Sequence, residues 1–476
     1  LVDTPLQIVC FGLGHDGEMY LVDYFGTLHR LINNPVASAN QQFPTRLSQT
    51  GLFASAKDHR VADGVIPYSI NAQPWADGAK AERFAALPGD AKLGIYDKED
   101  VQQGFIKGAW SFPSDGVLVK TLSLDVAPGS GRPPRRIETQ ILHMDVDTWK
   151  AYSYLWNDEQ TDAELVPADG IEKTLNVADP QSPGGKRQQA WTVASRTQCI
   201  LCHTTRAGSI HGFNVSQLNR DHDYGGATDN QLRVLDRIGL LEHSPEIKPP
   251  LADPYDESAD LDRRARTWLH VNCAHCHRRG GGGSAFIDLR HDIALDKTNL
   301  LGSRPIQGTF GIHGAELIAA GQPNHSVLFY RVSKLGRGRM PYFGSSLIDD
   351  RGVALLRDWI VQLGKSSPPA KTNDSVVQLQ ARERQLIATL GAAPVSDEKR
   401  RAEVVTQLLA STSGALALLE TMHGSALSAP AKTAAAKLGT THADPQIRDL
   451  FERYVPEEQR VRRLGSAIKP AEILAI

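Results

Sequence analysis

Runs of apolar and β-branched side chains mark the clearest strands of the chain. Residues 116–124 and 136–144 are strand-like in this way, and residues 149–156 follow them after a short polar turn. Successive side chains of a strand face opposite sides of a sheet, and β-branched and aromatic residues favour that setting. The pattern predicts an antiparallel sheet. Residues 64–110, rich in proline and glycine, predict an irregular, loop-rich approach to it.

Shorter strands are predicted at the start of the chain. Residues 7–11, 18–22 and 27–31 are strand-like and are separated by turns at Asp16-Gly17 and Phe25-Gly26. A β segment this short buries too little apolar surface to be stable by itself. It therefore indicates part of a larger sheet structure.

Helical periodicity takes over in the second half. Val353, Leu356, Ile360 and Leu363 recur at helical spacing after an acidic cap, and residues 263–271 predict a helix that begins after Asp260. Short helices separated by glycine, serine or proline then suggest a HEAT-like pair or a small helical bundle. These helices are predicted at residues 376–390, 397–410, 414–423, 429–438 and 445–454.

Length and charge limit the classes of function. A chain of 476 residues suggests about three domains, and a net charge of −2 argues against nucleic acid or an anionic membrane surface as a partner. The sequence has no apolar run long enough to span a bilayer. It begins without methionine or a leader pattern, so we expect a processed product or an excerpt of a longer protein.

Four of the five cysteines lie in two copies of one pattern, Cys-x-x-Cys-His. This is the attachment pattern of c-type haem, in which both thiols form thioethers and the adjacent imidazole binds the iron. The pattern predicts two covalently bound haem c groups. The alternatives are a structural zinc site, for which paired Cys and His ligands would serve, and a dithiol redox pair. The predicted haem-binding residues are Cys199, Cys202 and His203 in the first motif, and Cys273, Cys276 and His277 in the second.

Candidate sixth ligands follow each motif. Met340 stands in a glycine-flanked loop before a proline, in a chain with only four methionines, so we predict that its thioether binds the second iron. For the first iron His211 is the leading candidate, and His222, His143 and Met144 are the others. If none of them binds, the first iron would have an open position.

Two resemblances rest on longer stretches. Residues 11–24 resemble the last blade of the β-propeller in soluble quinoprotein sugar dehydrogenases, which use pyrroloquinoline quinone (PQQ). Residues 43–363, including both motifs and the stretch from Gly212 to Asp221, resemble di-haem c-type cytochromes associated with or fused to such propellers, of the sugar or sorbosone dehydrogenase type. PQQ itself would bind only in a propeller upstream of this chain.

The patterns and resemblances together imply a multidomain α+β chain. Its expected parts are a propeller-blade remnant and linker at 1–42, a β-rich haem domain at 43–250, a helical class I cytochrome c domain at 251–368 and a HEAT-like segment at 369–476. The resemblance implies electron transfer from a quinoprotein dehydrogenase to a downstream cytochrome or oxidase, in the periplasm or another extracytoplasmic space. The alternative is a haem enzyme with an open first iron, either a peroxidase or an oxidoreductase of hydroxylamine or other small nitrogen compounds.

Overall fold

The N-terminal strands form a small antiparallel sheet. The computed structural model describes residue 6 and residues 8–15, 17–30, 43–96, 108–179, 185–342, 344–366 and 374–460. The first described strands are β1 (Ile8–Leu13), β2 (Met19–Asp23) and β3 (Leu28–Arg30), in the order β1-β2-β3. The three predicted strands are therefore confirmed. The predicted linker, residues 35–42, lies outside the described residues.

A six-stranded antiparallel sheet dominates the β-rich part. The strands of this part are β4 (Phe53–Ser55), β5 (Arg60–Val61), β6 (Ile66–Tyr68), β7 (Lys80–Ala86), β8 (Gly94–Ile95), β9 (Trp110–Ser111), β10 (Val117–Leu124), β11 (Arg135–Asp145), β12 (Thr148–Trp156), β13 (Ala163–Leu165), β14 (Ile171–Ala178) and β15 (Lys186–Val193). The order of the six strands in the sheet is β13-β12-β11-β10-β7-β6. The strands predicted at 116–124, 136–144 and 149–156 are confirmed as β10, β11 and β12.

The two faces of this sheet belong to different cores. Val119 packs with Tyr154 and other buried side chains on one face, whereas its neighbour Leu118 belongs to a second cluster that contains Phe213 and Leu218. Alternation along β10 thus follows the period of two. Because Phe213 and Leu218 come soon after the first Cys-x-x-Cys-His motif, the second core fixes the segment after that motif against the sheet.

The segment with the first motif combines short helices with one hairpin. It contains α1 (Arg196–Cys202), α2 (Val215–Leu218), β16 (Asp221–Asp223), β17 (Thr228–Asn230) and α3 (Gln231–Arg237). The remaining helices are α4 (Leu261–Cys273), α5 (Val327–Val332), α6 (Asp350–Ser366), α7 (Asp374–Ala392), α8 (Glu398–Leu408), α9 (Thr412–His423), α10 (Ala429–Thr440) and α11 (Pro445–Phe451). The helices predicted after Asp260, after Asp349 and in the C-terminal part are confirmed. None of the described helices is both long and apolar enough to cross a membrane.

Helix α4, which ends in the second motif, packs against α6. The buried Trp359 of α6 donates its indole N–H to Asp262 of α4 at 2.7 Å, and Trp268 of α4 donates to Asp349 at 2.7 Å. Asp349 also caps α6 by accepting the N–H of Gly352 at 2.9 Å. A Cβ at Gly352 would collide with the Trp268 indole, so glycine permits this close approach.

The C-terminal helices share one hydrophobic core with α4, α5 and α6. This cluster runs from Ala265 to Phe451 among the described residues. A buried ion pair strengthens the contact: Lys334, only 2% exposed, donates to Asp449 of α11 at 2.8 Å and to the carbonyl of Arg337 at 2.8 Å. The predicted boundary at 368/369 lies outside the described residues. The helices before and after this boundary therefore share one hydrophobic core.

We expect Asp449→Ala to lower the free energy of unfolding by about 3–5 kcal/mol, because it removes the carboxylate that balances a buried ammonium. Chemical denaturation of the purified chain measures this. The control is Asp296→Ala, which breaks an exposed pair with Lys297 at 3.6 Å and should cost less than about 1 kcal/mol. Equal, small losses in both variants would contradict the structural role of the Lys334–Asp449 pair.

Candidate functional site

Both Cys-x-x-Cys-His motifs form the same turn at the end of a helix. The His203 N–H donates to the Cys199 carbonyl at 3.0 Å, and the His277 N–H donates to the Cys273 carbonyl at 2.8 Å. Residues at i, i+3 and i+4 of a helical turn lie on one face. In each motif the two thiols and the imidazole therefore belong to a single face of the turn.

The N-terminal ends of the two motif helices are fixed locally. Ser195 and Gln198 form a capping box at the start of α1, with side chain to backbone distances of 3.1 and 2.9 Å. Asp260 caps α4 by accepting the Arg263 N–H at 3.0 Å. The polar cap residues thus determine the residue at which each helix begins. The length of the helix then determines the position of the motif at its C-terminal end.

The two motifs, far apart in sequence, meet in the structure. The Sγ atoms of Cys202 and Cys276 and a ring nitrogen of His275 all lie within 4.8 Å of one another. Arg278, just after the second motif, donates to the carbonyl of Ala207, just after the first, at 3.1 Å. Groups attached at Cys202 and Cys276 would consequently be neighbours.

The thiols at this junction have shifted acidities. Donation by the Cys202 thiol lowers the pKa of Cys276 well below its usual range, and the same contact raises the pKa of Cys202. Burial raises the pKa of Cys273 to about 12. Of the two thiols of the second motif, Cys276 is therefore the one that deprotonates more readily. No disulfide joins any of the five cysteines, all of which lie among the described residues.

His203 of the first motif is held in one tautomer by a backbone carbonyl. Its Nδ1 lies 2.5 Å from the Ser209 carbonyl oxygen, and since a carbonyl only accepts, Nδ1 carries the proton. Burial lowers the pKa of His203 to about 4, so the ring is neutral at pH 7. Nε2 then keeps its lone pair, which is the arrangement that metal-binding histidines usually show. The donors of the first motif therefore fit haem c.

His277 is enclosed by the glycine run at 280–283. Among the described residues its buried Nδ1 has no hydrogen-bond partner, and burial lowers the pKa of the ring. A Cβ at Gly283 would lie 2.6 Å from this Nδ1, so only glycine allows the backbone to approach the imidazole so closely. An orphaned nitrogen on a neutral ring is compatible with a ligand role. The sequence signal for this enclosure is the run of four glycines that begins three residues after His277. His275, inside the motif, is a further residue of the site that the Cys-x-x-Cys-His pattern does not single out.

Met340 lies in the same cleft as Trp268 of α4, the helix that ends in the second motif. Its N–H donates to the Arg331 carbonyl at 3.1 Å, and the Arg331 charge also contributes to lowering the pKa of His277. Met340 lines a narrow cleft with Trp268 and Val353, and its free volume of about 10 Å³ is roughly what one water molecule needs. A group as large as a porphyrin would bind there only if the cleft opened. The assignment of Met340 as a ligand stays a prediction.

His211 lies beside His203 in the structure. The two ring centroids are 4.6 Å apart, and His211 Nε2 donates to the Cys202 carbonyl at 2.8 Å. Burial lowers the pKa of His211 well below its usual range. Because Nε2 already donates this hydrogen bond, His211 could bind iron only through Nδ1 or after the hydrogen bond breaks. The ligand role of His211 stays a prediction.

The other candidates for the first iron have partners elsewhere. His143 contacts Asp115 at 3.0 Å, His222 contacts the Ser69 hydroxyl at 3.0 Å, and Met144 is buried in the core beneath the sheet. The structure thus brings His203, His211 and His275 together and leaves these three apart from them.

Comparisons of the chain with protein-family models, with curated proteins and with solved structures found no match.

Proposed function

We propose that this chain is a di-haem c-type cytochrome that transfers electrons. The observation that supports this proposal best is that two Cys-x-x-Cys-His segments form the same helical turn and meet through Cys202 and Cys276. Haem, when bound, supplies one-electron exchange at its iron. Neighbouring attachment points suit the passage of an electron from one cofactor to the other.

Each residue of the site has a defined role in this proposal. Two pairs of thiols would hold the cofactors, Cys199 with Cys202 and Cys273 with Cys276. His203 would be the proximal ligand of the first iron, held in the correct tautomer by the Ser209 carbonyl. His277 would have that role at the second iron, with Met340 as its sixth ligand.

The partners in this proposal come from the resemblance of residues 11–24 and 43–363. Electrons would arrive from a quinoprotein dehydrogenase domain or subunit that carries PQQ, and leave to a downstream cytochrome or oxidase. Covalent attachment of haem places the protein in the periplasm or another extracytoplasmic space.

A zinc site is the second candidate, because Cys202, His275 and Cys276 also form a set that could hold a metal ion. Two thiolates and one imidazole suit Zn²⁺, and the His211 ring, 5.4 Å from the His275 ring, is available as a fourth donor. In this case the purified chain would contain stoichiometric zinc and no covalent haem.

Ligand access distinguishes a carrier from a haem enzyme. We expect the first iron to be six-coordinate or sterically closed, so cyanide and carbon monoxide should bind slowly or not at all to the unmutated protein. His211→Ala should allow rapid binding at one haem, as followed by the visible spectrum. His222→Ala, which changes a histidine bonded to Ser69, is the control and should bind as slowly as the unmutated protein.

The opposite result would support the enzymatic alternative. Rapid binding of these ligands to the unmutated protein, together with turnover of peroxide or hydroxylamine, would show that the first iron has an open position that faces a pocket.

A further inference from the structure

The segment around Met340 is held in shape by an arginine. We call residues 336–342 and 344–348 the methionine loop. The buried Arg339 guanidinium donates to the Ser345 carbonyl at 2.6 Å and to the Leu347 carbonyl at 2.7 Å. These hydrogen bonds hold Ser345 and Leu347, at the C-terminal end of the loop, against Arg339, the residue that precedes Met340. The position of Met340 therefore depends on where Ser345 and Leu347 are anchored.

The anchor is a carboxylate from the β-rich part of the chain. Asp77, only 7% exposed, accepts the Ser346 N–H with both oxygens, at 2.9 and 2.8 Å, and the Leu347 N–H at 2.8 Å. Asp77 and Gly78 have positive φ values of 54° and 81°, which turn the chain sharply at this point. Aspartate tolerates this conformation better than most residues. The turn aims the carboxylate at two successive amides of the methionine loop.

Trp75 makes a second connection to the same loop. Its indole N–H donates to the Leu347 carbonyl at 3.0 Å, and its backbone N–H donates to the Asn272 side chain at 2.8 Å. Asn272 directly precedes Cys273 of the second motif. Trp75 also lines the cleft beside Met340. One residue therefore fixes the distance between the methionine loop and the helix that carries the second motif.

The same segment is bonded to the region of the first motif. We call residues 71–77 the bridge segment. Ala72 exchanges two hydrogen bonds with the Gln217 side chain, at 2.9 and 2.8 Å, and the Asn71 side chain donates to the Ser216 carbonyl at 2.8 Å. Gln217 and Ser216 belong to α2, which follows the first motif. The bridge segment thus contacts elements next to both motifs.

We propose that the bridge segment positions the Met340 thioether for the second haem and that Asp77 is the main positioning residue. This inference rests on the proposed function. The backbone amides of Ser346 and Leu347 donate to Asp77. Because a buried amide without an acceptor costs free energy, loss of this acceptor would shift the loop until the amide bonds to another group. A shift of the loop moves Met340, because Arg339 ties the two together.

The test compares Asp77→Asn with the unmutated protein carrying its covalent haem. The variant keeps the shape of the side chain but loses the charge and one acceptor oxygen. We expect the far-red absorption band of thioether-ligated ferric haem to weaken, and imidazole to displace the thioether at least about tenfold faster. The control is Asp253→Asn, an exposed aspartate that also accepts a backbone N–H, from Tyr255 at 2.9 Å. It should match the unmutated protein.

The outcomes separate this inference from the proposed function. An unmutated chain without covalent haem would overturn both. A chain with two haems, in which Asp77→Asn keeps the band and the displacement rate, would overturn the positioning role alone. If Asp77→Asn does not fold, the Trp75→Phe variant tests the proposal instead. This variant keeps an aromatic ring in the cleft but loses the N–H that donates to Leu347. It should weaken the far-red band in the same way. An unchanged band in Trp75→Phe would overturn the proposal.

Discussion

Denatured, purified chain is expected to retain two haems by mass, because each Cys-x-x-Cys-His turn presents two thiols and an imidazole on one face. Replacing Cys273 and Cys276 together with alanine should leave one haem, and so should replacing Cys199 and Cys202 together. The effect is all or none at each site, since thioether bonds survive denaturation. Intact-protein mass spectrometry and a haem stain on a denaturing gel measure it.

Cys10 provides the matched control for this experiment. It is exposed and lies in the N-terminal sheet, outside both motifs, so Cys10→Ala should keep both haems. A mass equal to the bare polypeptide would refute the proposal of haem. Stoichiometric zinc, lost on replacement of Cys202 or Cys276, would establish the second candidate instead.

Met340→Ala is expected to lower the reduction potential of one haem by on the order of 100 mV and to let carbon monoxide bind its ferrous iron. Thioether ligation favours the ferrous state, and axial ligands are a main determinant of haem potential. Spectroelectrochemistry gives the potential of each haem, and carbon monoxide difference spectra report the open position. The first haem should be unaffected.

Volume-conserving variants separate a ligand from a core residue. Met340→Leu keeps the packing but removes the sulfur, so it should change the potential as Met340→Ala does. Met422→Leu, at a buried methionine of α9, should change neither potential and should cost less than about 1.5 kcal/mol of stability. If Met340→Leu leaves both potentials and spectra unchanged, Met340 fills space and binds no iron.

The sequence by itself determined the local elements. Runs of β-branched, aromatic and other apolar residues predicted the strands at 116–124, 136–144 and 149–156, and apolar spacing with polar caps predicted α4, α6 and the C-terminal helices. The geometry within each motif is local too, because three residues of one helical turn must share a face. These features depend on contacts between residues close in sequence, and such contacts leave a period or a cap residue that can be recognised.

Only the tertiary structure decided which distant residues meet. That Cys202 lies against Cys276, that Asp77 accepts amides of the methionine loop and that Lys334 pairs with Asp449 has no periodic signal in the chain. Each of these contacts joins two residues that are far apart in sequence. The packing of the sheet against the helices brings the two residues together, and local conformation does not determine the pairing. A lone aspartate before glycine predicts a turn. Only packing against the methionine loop makes Asp77 an anchor for Met340.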